Sequence, residues 1–250
     1  MYKIKNAIAG IGMLTGIALL AAGPQLSYAQ GLAVSNTEPA NKYNWELERT
    51  DGNCKSYSSV VAGKEYLAAK AVCDVPARME VMGMILHDIE YFPEWMSDCK
   101  ATKILKVEND EKDVIVFWLH QHIPILKDRD MVLRSTNLID YAKGINLIEA
   151  RSTDDIKYDS GKSVFRMPSF YAQYRLEWID REHTRVTYLI DPDLGPGLPI
   201  GISNSTIRKI PIKSMEGMMK AAKEKKYAEG ARNTKYAAWV EEAIKLGFLK

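Results

Sequence analysis

The chain of 250 residues contains 34 basic and 32 acidic side chains, so its formal net charge is +2. Residues 1–29 hold two Lys and no acidic residue, and without them the formal charge is zero. This balance excludes nucleic acid as the main partner, because proteins that bind DNA or RNA carry a basic surplus. Neither repeats nor low-complexity linkers interrupt the remaining 221 residues, which favours one large domain over two small ones.

The first residues have the pattern of an export signal. Two Lys residues precede a small, apolar stretch over residues 7–23, and a cleavage site with a small residue ends at Ala29. We predict a signal peptide over 1–29, removed near Ala29 to leave Gln30 at the N-terminus, and hence a periplasmic protein. An uncleaved membrane anchor is the alternative, although the apolar stretch is short for a membrane span.

The mature chain starts with a polar, aperiodic segment, 30–43, which we predict to be a flexible arm. The turn signal at Asp51-Gly52 indicates that a first strand ends there. The next elements are predicted to be two strands and two helices, at about 53–61, 64–75, 77–87 and 91–96.

Three cysteines lie in the mature chain, without the C-x-x-C spacing of a structural zinc site. Cys54 and Cys73 are about equally distant from a turn at Gly63-Lys64, so an antiparallel hairpin would place them opposite each other. Such a pair can form a disulfide in an oxidising compartment, and Cys99 would then be free. Whether the disulfide forms stays open at this stage, because cross-strand geometry is often unsuitable.

From Lys100 the apolar residues recur at every second position, which predicts strands. The strands are expected at about 100–108, 112–122, 129–139, 144–153, 163–179 and 183–191. The segment Gly195-Pro196-Gly197-Leu198-Pro199 then breaks the chain, and a long amphipathic helix rich in Met follows. Consecutive strands with short links predict an α+β fold in which a curved antiparallel sheet wraps around the long C-terminal helix. An internal apolar cavity would lie between the two.

Three groups of residues resemble START domains, the lipid-transfer modules related to the steroidogenic acute regulatory protein. They stand in the right order and spacing, at Trp45-Glu46-Leu47 with Asp51-Gly52, at Arg129-Asp130-Met131-Val132, and at Thr184-Arg185-Val186-Thr187-Tyr188 with Gly197-Leu198-Pro199 and Asn204. The resemblance covers about residues 44–228 and implies the helix-grip fold, with residues 229–250 as a C-terminal helical extension. The segment from Tyr91 to Trp95 is also similar to the wider helix-grip superfamily, which includes polyketide cyclases.

One position departs from the START pattern. Many animal START domains have an Arg six residues after the Arg that corresponds to Arg129, and this chain has Ser135 there. Arg134 stands one position earlier and is expected on the other side of the strand. The buried acid–base pair of those proteins therefore cannot be transferred to this chain.

The candidate ligand-binding residues are apolar or aromatic side chains on the predicted strands and on the long helix. Strand alternation puts about half of them inward, and the sequence does not show which half. The predicted set is Val116, Trp118, His120, Met131, Tyr174, Leu176, Trp178, Leu198, Ile202, Met215 and Met218.

His120 and His122 would share one face of a strand, but no third ligand is marked, so we expect no metal site. We expect instead that one His forms a hydrogen bond with a ligand head group in the cavity, or that both His residues face solvent. No nucleophile elbow or phosphate loop is present, so no catalytic residue or cofactor is predicted. The long helix carries many more basic than acidic residues, and Lys209 and Lys213 are expected to dock on an anionic membrane.

These features together predict a monomeric, non-catalytic carrier of one apolar lipid, gated by the C-terminal helix. Sterol, hopanoid, phospholipid and quinone remain possible ligands. A cyclase or aromatase of the same superfamily is one alternative, and a scaffold of an envelope complex with a filled core is another. A cavity of roughly 300–1,000 Å³ would favour the carrier or the enzyme over the scaffold.

Overall fold

The computed structural model describes residues 42–110, 113–123 and 127–250. The predicted signal peptide, 1–29, lies outside these residues, and so does most of the predicted arm. The two described residues of the arm, Lys42 and Tyr43, both hydrogen-bond the buried carboxylate of Asp191, at 2.6 and 2.9 Å. None of the helices in the described part of the chain combines the length and hydropathy that a membrane span requires.

The described strands form one sheet, in the order β1-β2-β3-β10-β9-β7-β6-β5-β4, with β8 paired to β6. All pairs are antiparallel except β6 with β8. The antiparallel α+β fold predicted from the strand order is therefore confirmed. The strands are β1 (Glu46–Asp51), β2 (Cys54–Ser59), β3 (Ala68–Val75), β4 (Cys99–Asn109), β5 (Val114–Gln121), β6 (Asp128–Asp140), β7 (Ile145–Ser152), β8 (Val164–Arg166), β9 (Ser169–Trp178) and β10 (Thr184–Asp193).

One predicted strand, 163–179, is split into β8 and β9. The break falls at Met167-Pro168, where Pro has no backbone N–H to continue a ladder. The amide of Met167 donates instead to the carbonyl of Asp130. Strand β8 therefore lies beside β6, while β9 joins β7 and β10.

The helices follow the predicted order. They are α1 (Met79–His87), α2 (Phe92–Trp95), the long α3 (Ile200–Ala221), α4 (Lys225–Ala228) and α5 (Lys235–Lys245). Helix α3 packs on β2, β3 and α2, and its Met215 and Met218 are fully buried.

The second half of α3 is held tightly against α2. A Cβ atom on Gly217 would lie only 2.0 Å from the backbone oxygen of Trp95, so only Gly permits this approach of the two backbones. The hydroxyl of Ser214 also accepts a hydrogen bond from the amide of Ser97, at 3.1 Å. Pro211 lies inside the helix just before this contact and removes one helical hydrogen bond. The two halves of α3 are therefore joined at a weakened point.

The predicted C-terminal extension contains α5, which packs on α1. The buried carboxylate of Asp113 links α5 to the sheet. It accepts hydrogen bonds from Tyr236 and Asn137, at 2.8 and 2.7 Å, and pairs with Lys235. Burial alone would raise the pKa of Asp113, but His87, Lys235 and these hydrogen bonds hold it at about 2.

Candidate functional site

An internal cavity lies between one face of the sheet and the helices α1, α2 and α3. Along each strand its walls use every second residue, as the pleat requires. The strand residues that line it are Cys99, Phe117, Leu119, Gln121, Leu133, Ser135, Ile148, Ala150, Phe170, Ala172, Tyr174, Tyr188 and Ile190. The helices and their connections add Leu86, Ile89, Phe92, Met96, Ser97 and Ile210.

A second cavity adjoins the first at the start of α3. The two share Gln121, Phe170, Ile190 and Ile210. Their volumes are ≈ 50 and ≈ 100 Å³ respectively. Both are below the roughly 300–1,000 Å³ of typical ligand pockets, so the walls must separate before a large ligand can bind.

The polar groups in the first cavity are all uncharged. The hydroxyl of Tyr174 is buried and makes no hydrogen bond of ordinary geometry with the described residues, and the polar group that interacts with it is the hydroxyl of Tyr188. Its ring stacks on that of Tyr188, with the centroids 4.0 Å apart. Burial raises the pKa of both phenols and raises the pKa of the Cys99 thiol to about 12, so all three stay neutral at ordinary pH.

The structure places the predicted residues of β5 on the wrong side of the sheet. Val116 and Trp118 pack against Val132 on the outer face, and the indole nitrogen of Trp118 donates to Asp130, at 2.7 Å. His120 points the same way and bonds Asp128. The prediction that this face of β5 lines the cavity is therefore wrong. The intervening residues Phe117, Leu119 and Gln121 line it instead, because successive side chains alternate between the two faces.

The other predicted ligand-binding residues divide into three groups. Tyr174 lines the first cavity and Ile202 the second. Trp178 is half-buried, and its indole nitrogen donates to the carbonyl of Lys250, at 3.1 Å. The remainder are buried in the core without lining either cavity, and they are Met131, Leu176, Leu198, Met215 and Met218.

The position that departs from the START pattern does face the cavity. Ser135 lines it, whereas Arg134 pairs with Glu108 and Asp155 on the outer face. The expected orientation of Arg134 is therefore confirmed. The cavity has a neutral hydroxyl at the place where the resemblance would have implied a guanidinium.

Both His residues of the predicted pair bind the same carboxylate. His120 Nε2 lies 3.0 Å and His122 Nδ1 lies 2.8 Å from Asp128. Burial opposes ionisation of Asp128, but hydrogen bonds led by those from Lys100 and the Ile123 amide keep its pKa well below the usual range. In the part of the chain that the structure describes, no group of three His, Cys, Asp or Glu side chains is arranged so that it could hold a metal ion. The hydrogen bonds of His120 and His122 with Asp128 connect the two ends of the loop between β5 and β6.

The second cavity lies where this loop meets the Gly/Pro segment and the start of α3. Ile123 and Ile202 both line it, and Ile202 is 58% exposed. The rest of the predicted apolar loop, 124–126, lies outside the described residues. We call this region the mouth.

Two motif residues hold the chain around the mouth. Arg129 donates through Nε to the carbonyl of Leu194, at 3.1 Å. Asn204, in the first turns of α3, accepts a hydrogen bond from the amide of Leu67, at 3.0 Å. The conformation of the segment between β10 and α3 is thus set by a few hydrogen bonds from side chains and not by the backbone hydrogen bonds of a paired strand.

The sequence matches one family model and is similar to individual curated proteins. The START domain family model matches residues 28–227. An uncharacterized protein of Pseudomonas aeruginosa is 23% identical over 185 residues, which are 73% of this chain and 88% of that protein. START domain-containing protein 10 of Mus musculus is 30% identical over 152 residues, or 60% of this chain, and the match spans 50% of that relative's length.

Solved structures show the same fold. A STAR-related lipid transfer protein fragment from Xanthomonas axonopodis superposes with a TM-score of 0.64 at 22% identity, over 72% of this chain and 99% of that one. Human STARD10 superposes with a TM-score of 0.65 at 22% identity, over 75% and 76% of the two chains. Because the family model covers well over half of the sequence, the chain belongs to the START domain family.

Proposed function

We propose that the protein binds and transfers a single uncharged lipid, such as a sterol, a hopanoid or a quinone. The observation that carries the proposal is the lining of the two cavities, in which no described residue is charged. The phosphate of an enclosed phospholipid would lose its hydration there without gaining a charged partner, and this loss is expensive. A lone hydroxyl or carbonyl, in contrast, fits the buried hydroxyl of Tyr174.

The same lining favours a carrier over a cyclase. Acid–base catalysis needs a group that titrates near the working pH. The described lining contains neither carboxylate nor imidazole, and its Tyr and Cys side chains have raised pKa values. The two volumes are below the roughly 300–1,000 Å³ that would have favoured a carrier or an enzyme, so the cavity volume does not support a carrier over a scaffold with a filled core. The Tyr174 hydroxyl favours the carrier, because it has no hydrogen bond of ordinary geometry beside Tyr188 and a permanently filled core would leave it poorly satisfied.

Native mass spectrometry of the purified protein, followed by lipid extraction, tests the proposal. We expect a one-to-one complex with an uncharged lipid. Tyr174→Phe should retain the fold and lose part of the affinity, whereas Tyr158→Phe, which alters a ring that packs on the outer face against Trp118, should leave affinity unchanged. A protein that stays empty after incubation with each lipid class would contradict the proposal, and a bound phospholipid would contradict its choice of ligand.

We further propose that α3 docks on an anionic membrane through one exposed face. Ile202, Lys209 and Lys213 are spaced by seven and four residues, so they lie on the same side of the helix. Ile202 also lies at the mouth of the second cavity. Docking through this face would bring the mouth to the bilayer.

Reversal of both charges, in Lys209→Glu with Lys213→Glu, should weaken binding to anionic vesicles by at least about thirtyfold at low salt, since each Lys near such a surface contributes about 1 kcal/mol. Vesicle co-sedimentation at increasing salt measures the effect, which should fade as the charges are screened. Lys245→Glu is the matched control, because this Lys is also exposed but lies on α5. Equal losses in the two proteins would exclude a specific role for α3.

The pattern of residues 1–29 supports the proposal that the protein is exported to the periplasm. N-terminal sequencing of protein from the periplasmic fraction should then begin at or near Gln30. A mature protein that retains Met1 would show that the segment is not cleaved.

A further inference from the structure

A separate pocket lies at the opposite end of β10 from the mouth. Its volume is ≈ 540 Å³. The first turn of α1, the turn between β9 and β10, and the first turns of α5 form its walls. Because α5 lies beyond residue 227, where the START match ends, this pocket depends on a part of the chain outside the family module.

The pocket is lined by a buried carboxylate, that of Glu80, in which only one of the two oxygen atoms has a partner. Glu80 is 1% exposed. Its Oε1 atom lies 3.4 Å from Arg78 Nε and 3.3 Å from Arg181 Nη1. Its Oε2 atom is buried without a hydrogen-bond partner among the described residues. A buried acceptor without a donor is destabilising, so this atom favours a ligand that brings a donor.

The walls also provide donors for an anion. Arg78 and Arg181 use part of their guanidinium groups on Glu80, on the Ala228 carbonyl and on Glu241. Arg232 is exposed and pairs with no acidic side chain in the described ranges. Helix α1 has no side-chain N-cap and its N-cap residue Arg78 lines the pocket, so the positive end of the helix dipole lies at the pocket wall.

We propose that this pocket binds a small zwitterion in which a primary ammonium lies next to an oxyanion. The ammonium donates to Glu80 Oε2, and the carboxylate or phosphate accepts from Arg232 and the first turn of α1. A simple anion would leave Oε2 without a donor, and a simple cation would meet three guanidinium groups. Free amino acids have this chemistry, and so does phosphoethanolamine, either free or as a lipid headgroup.

Isothermal titration of the mature protein with O-phosphoethanolamine and with glycine tests the proposal. At least one should bind, and phosphocholine, whose quaternary nitrogen has no N–H, should bind roughly tenfold more weakly or worse than phosphoethanolamine. Methylamine has only the ammonium group and inorganic phosphate has only the oxyanion, so each should also bind weakly. Flotation with vesicles that contain phosphatidylethanolamine distinguishes a lipid headgroup from a free small molecule as the ligand. If the protein floats with the vesicles, the ligand is the headgroup. If it binds phosphoethanolamine or glycine only in the titration, the ligand is a free solute.

The variant Arg232→Gln removes an exposed side chain, so the fold should keep its melting temperature while affinity for the zwitterion falls roughly tenfold. Arg49→Gln, at an exposed arginine of β1, is the matched control and should bind as the unchanged protein does. The proposal is overturned if no zwitterion binds, if phosphocholine or phosphate binds equally well, or if Arg232→Gln has no effect. None of these results depends on lipid in the internal cavity.

Discussion

When the mouth is locked, transfer of lipid between liposomes should fall to the rate of spontaneous exchange while bound lipid stays in the protein. The lock is a short bismaleimide that joins Ile123→Cys to Ile202→Cys, two positions that line the second cavity from different elements, the loop after β5 and the start of α3. Both cavities are too small for a lipid, so a ligand can leave only if these walls separate. Fluorescent-lipid transfer and native mass spectrometry measure release and occupancy on the same sample.

The contacts of α3 explain why the opening should be confined to its first turns. The residues of α3 that line the cavities all precede Pro211. After Pro211, Gly217 and Ser214 hold the helix against the backbone around α2. We therefore expect the first part to tilt at Pro211 while the second part stays packed. Such lid motions occur in microseconds to milliseconds.

A second cross-link provides the control for this experiment. Glu216→Cys and Lys220→Cys are both exposed, lie one turn apart on the anchored half of α3, and can be joined by the same reagent. This staple should leave transfer unchanged. If the mouth lock also leaves transfer unchanged, the ligand uses another exit and the gating role of α3 is wrong.

The fold could be predicted from the sequence because its signals are local. Alternation gave the strands, and the Gly/Pro segment after Asp193 separated the last strand from the long helix. The sequence did not show which face of each strand lines the cavity. On β5, the side chains of Val116, Trp118 and His120 alternate with those of the intervening residues, and both sets are equally regular. Which set faces the cavity is decided by the side of the sheet on which the helices pack.

One signal could have settled the face of β5. The expected outward direction of Arg134 implies that Leu133 and Ser135 point inward. Leu133 is paired with Phe117 across β5 and β6, so Phe117 points inward too. The register of that hairpin was the missing fact, because the loop between the strands has no compact turn signal from which to count. The helix pattern likewise grouped Met215 and Met218 with Ile202, although both Met residues are fully buried in the core and line neither cavity.

Reduction of the bond between Cys54 and Cys73 should produce the largest loss of stability. The two residues are directly opposite each other on β2 and β3, with their Cα atoms 4.1 Å apart and their sulfurs bonded. They are 19 residues apart in sequence. Closing a loop of this length in the unfolded chain is worth about 3 kcal/mol in the free energy of unfolding, on the entropic account of disulfides. For a domain of this size that corresponds to a fall of roughly 6–12 °C in melting temperature.

The position of the bond in the sheet adds a local effect. Among the described strands, β1 and β2 form one edge of the sheet and are joined to the rest of it through β3. Without the bond this edge should open before the rest, so hydrogen exchange in β1 and β2 should increase more than in β9 or β10. Equal increases in all four strands would show that the bond acts only through the unfolded chain.

Denaturant unfolding with and without reductant, together with two variants, separates the disulfide from other effects of thiols. Cys99→Ala should show the same loss on reduction as the unchanged protein, because Cys99 is unpaired and buried. The double variant Cys54→Ala with Cys73→Ala should be destabilised from the start and should not respond to reductant. Non-reducing peptide mapping of protein from the periplasmic fraction should link Cys54 to Cys73, since such bonds persist in oxidising compartments. A reductant-insensitive midpoint in the unchanged protein, with both thiols free to alkylate, would show that the bond does not form.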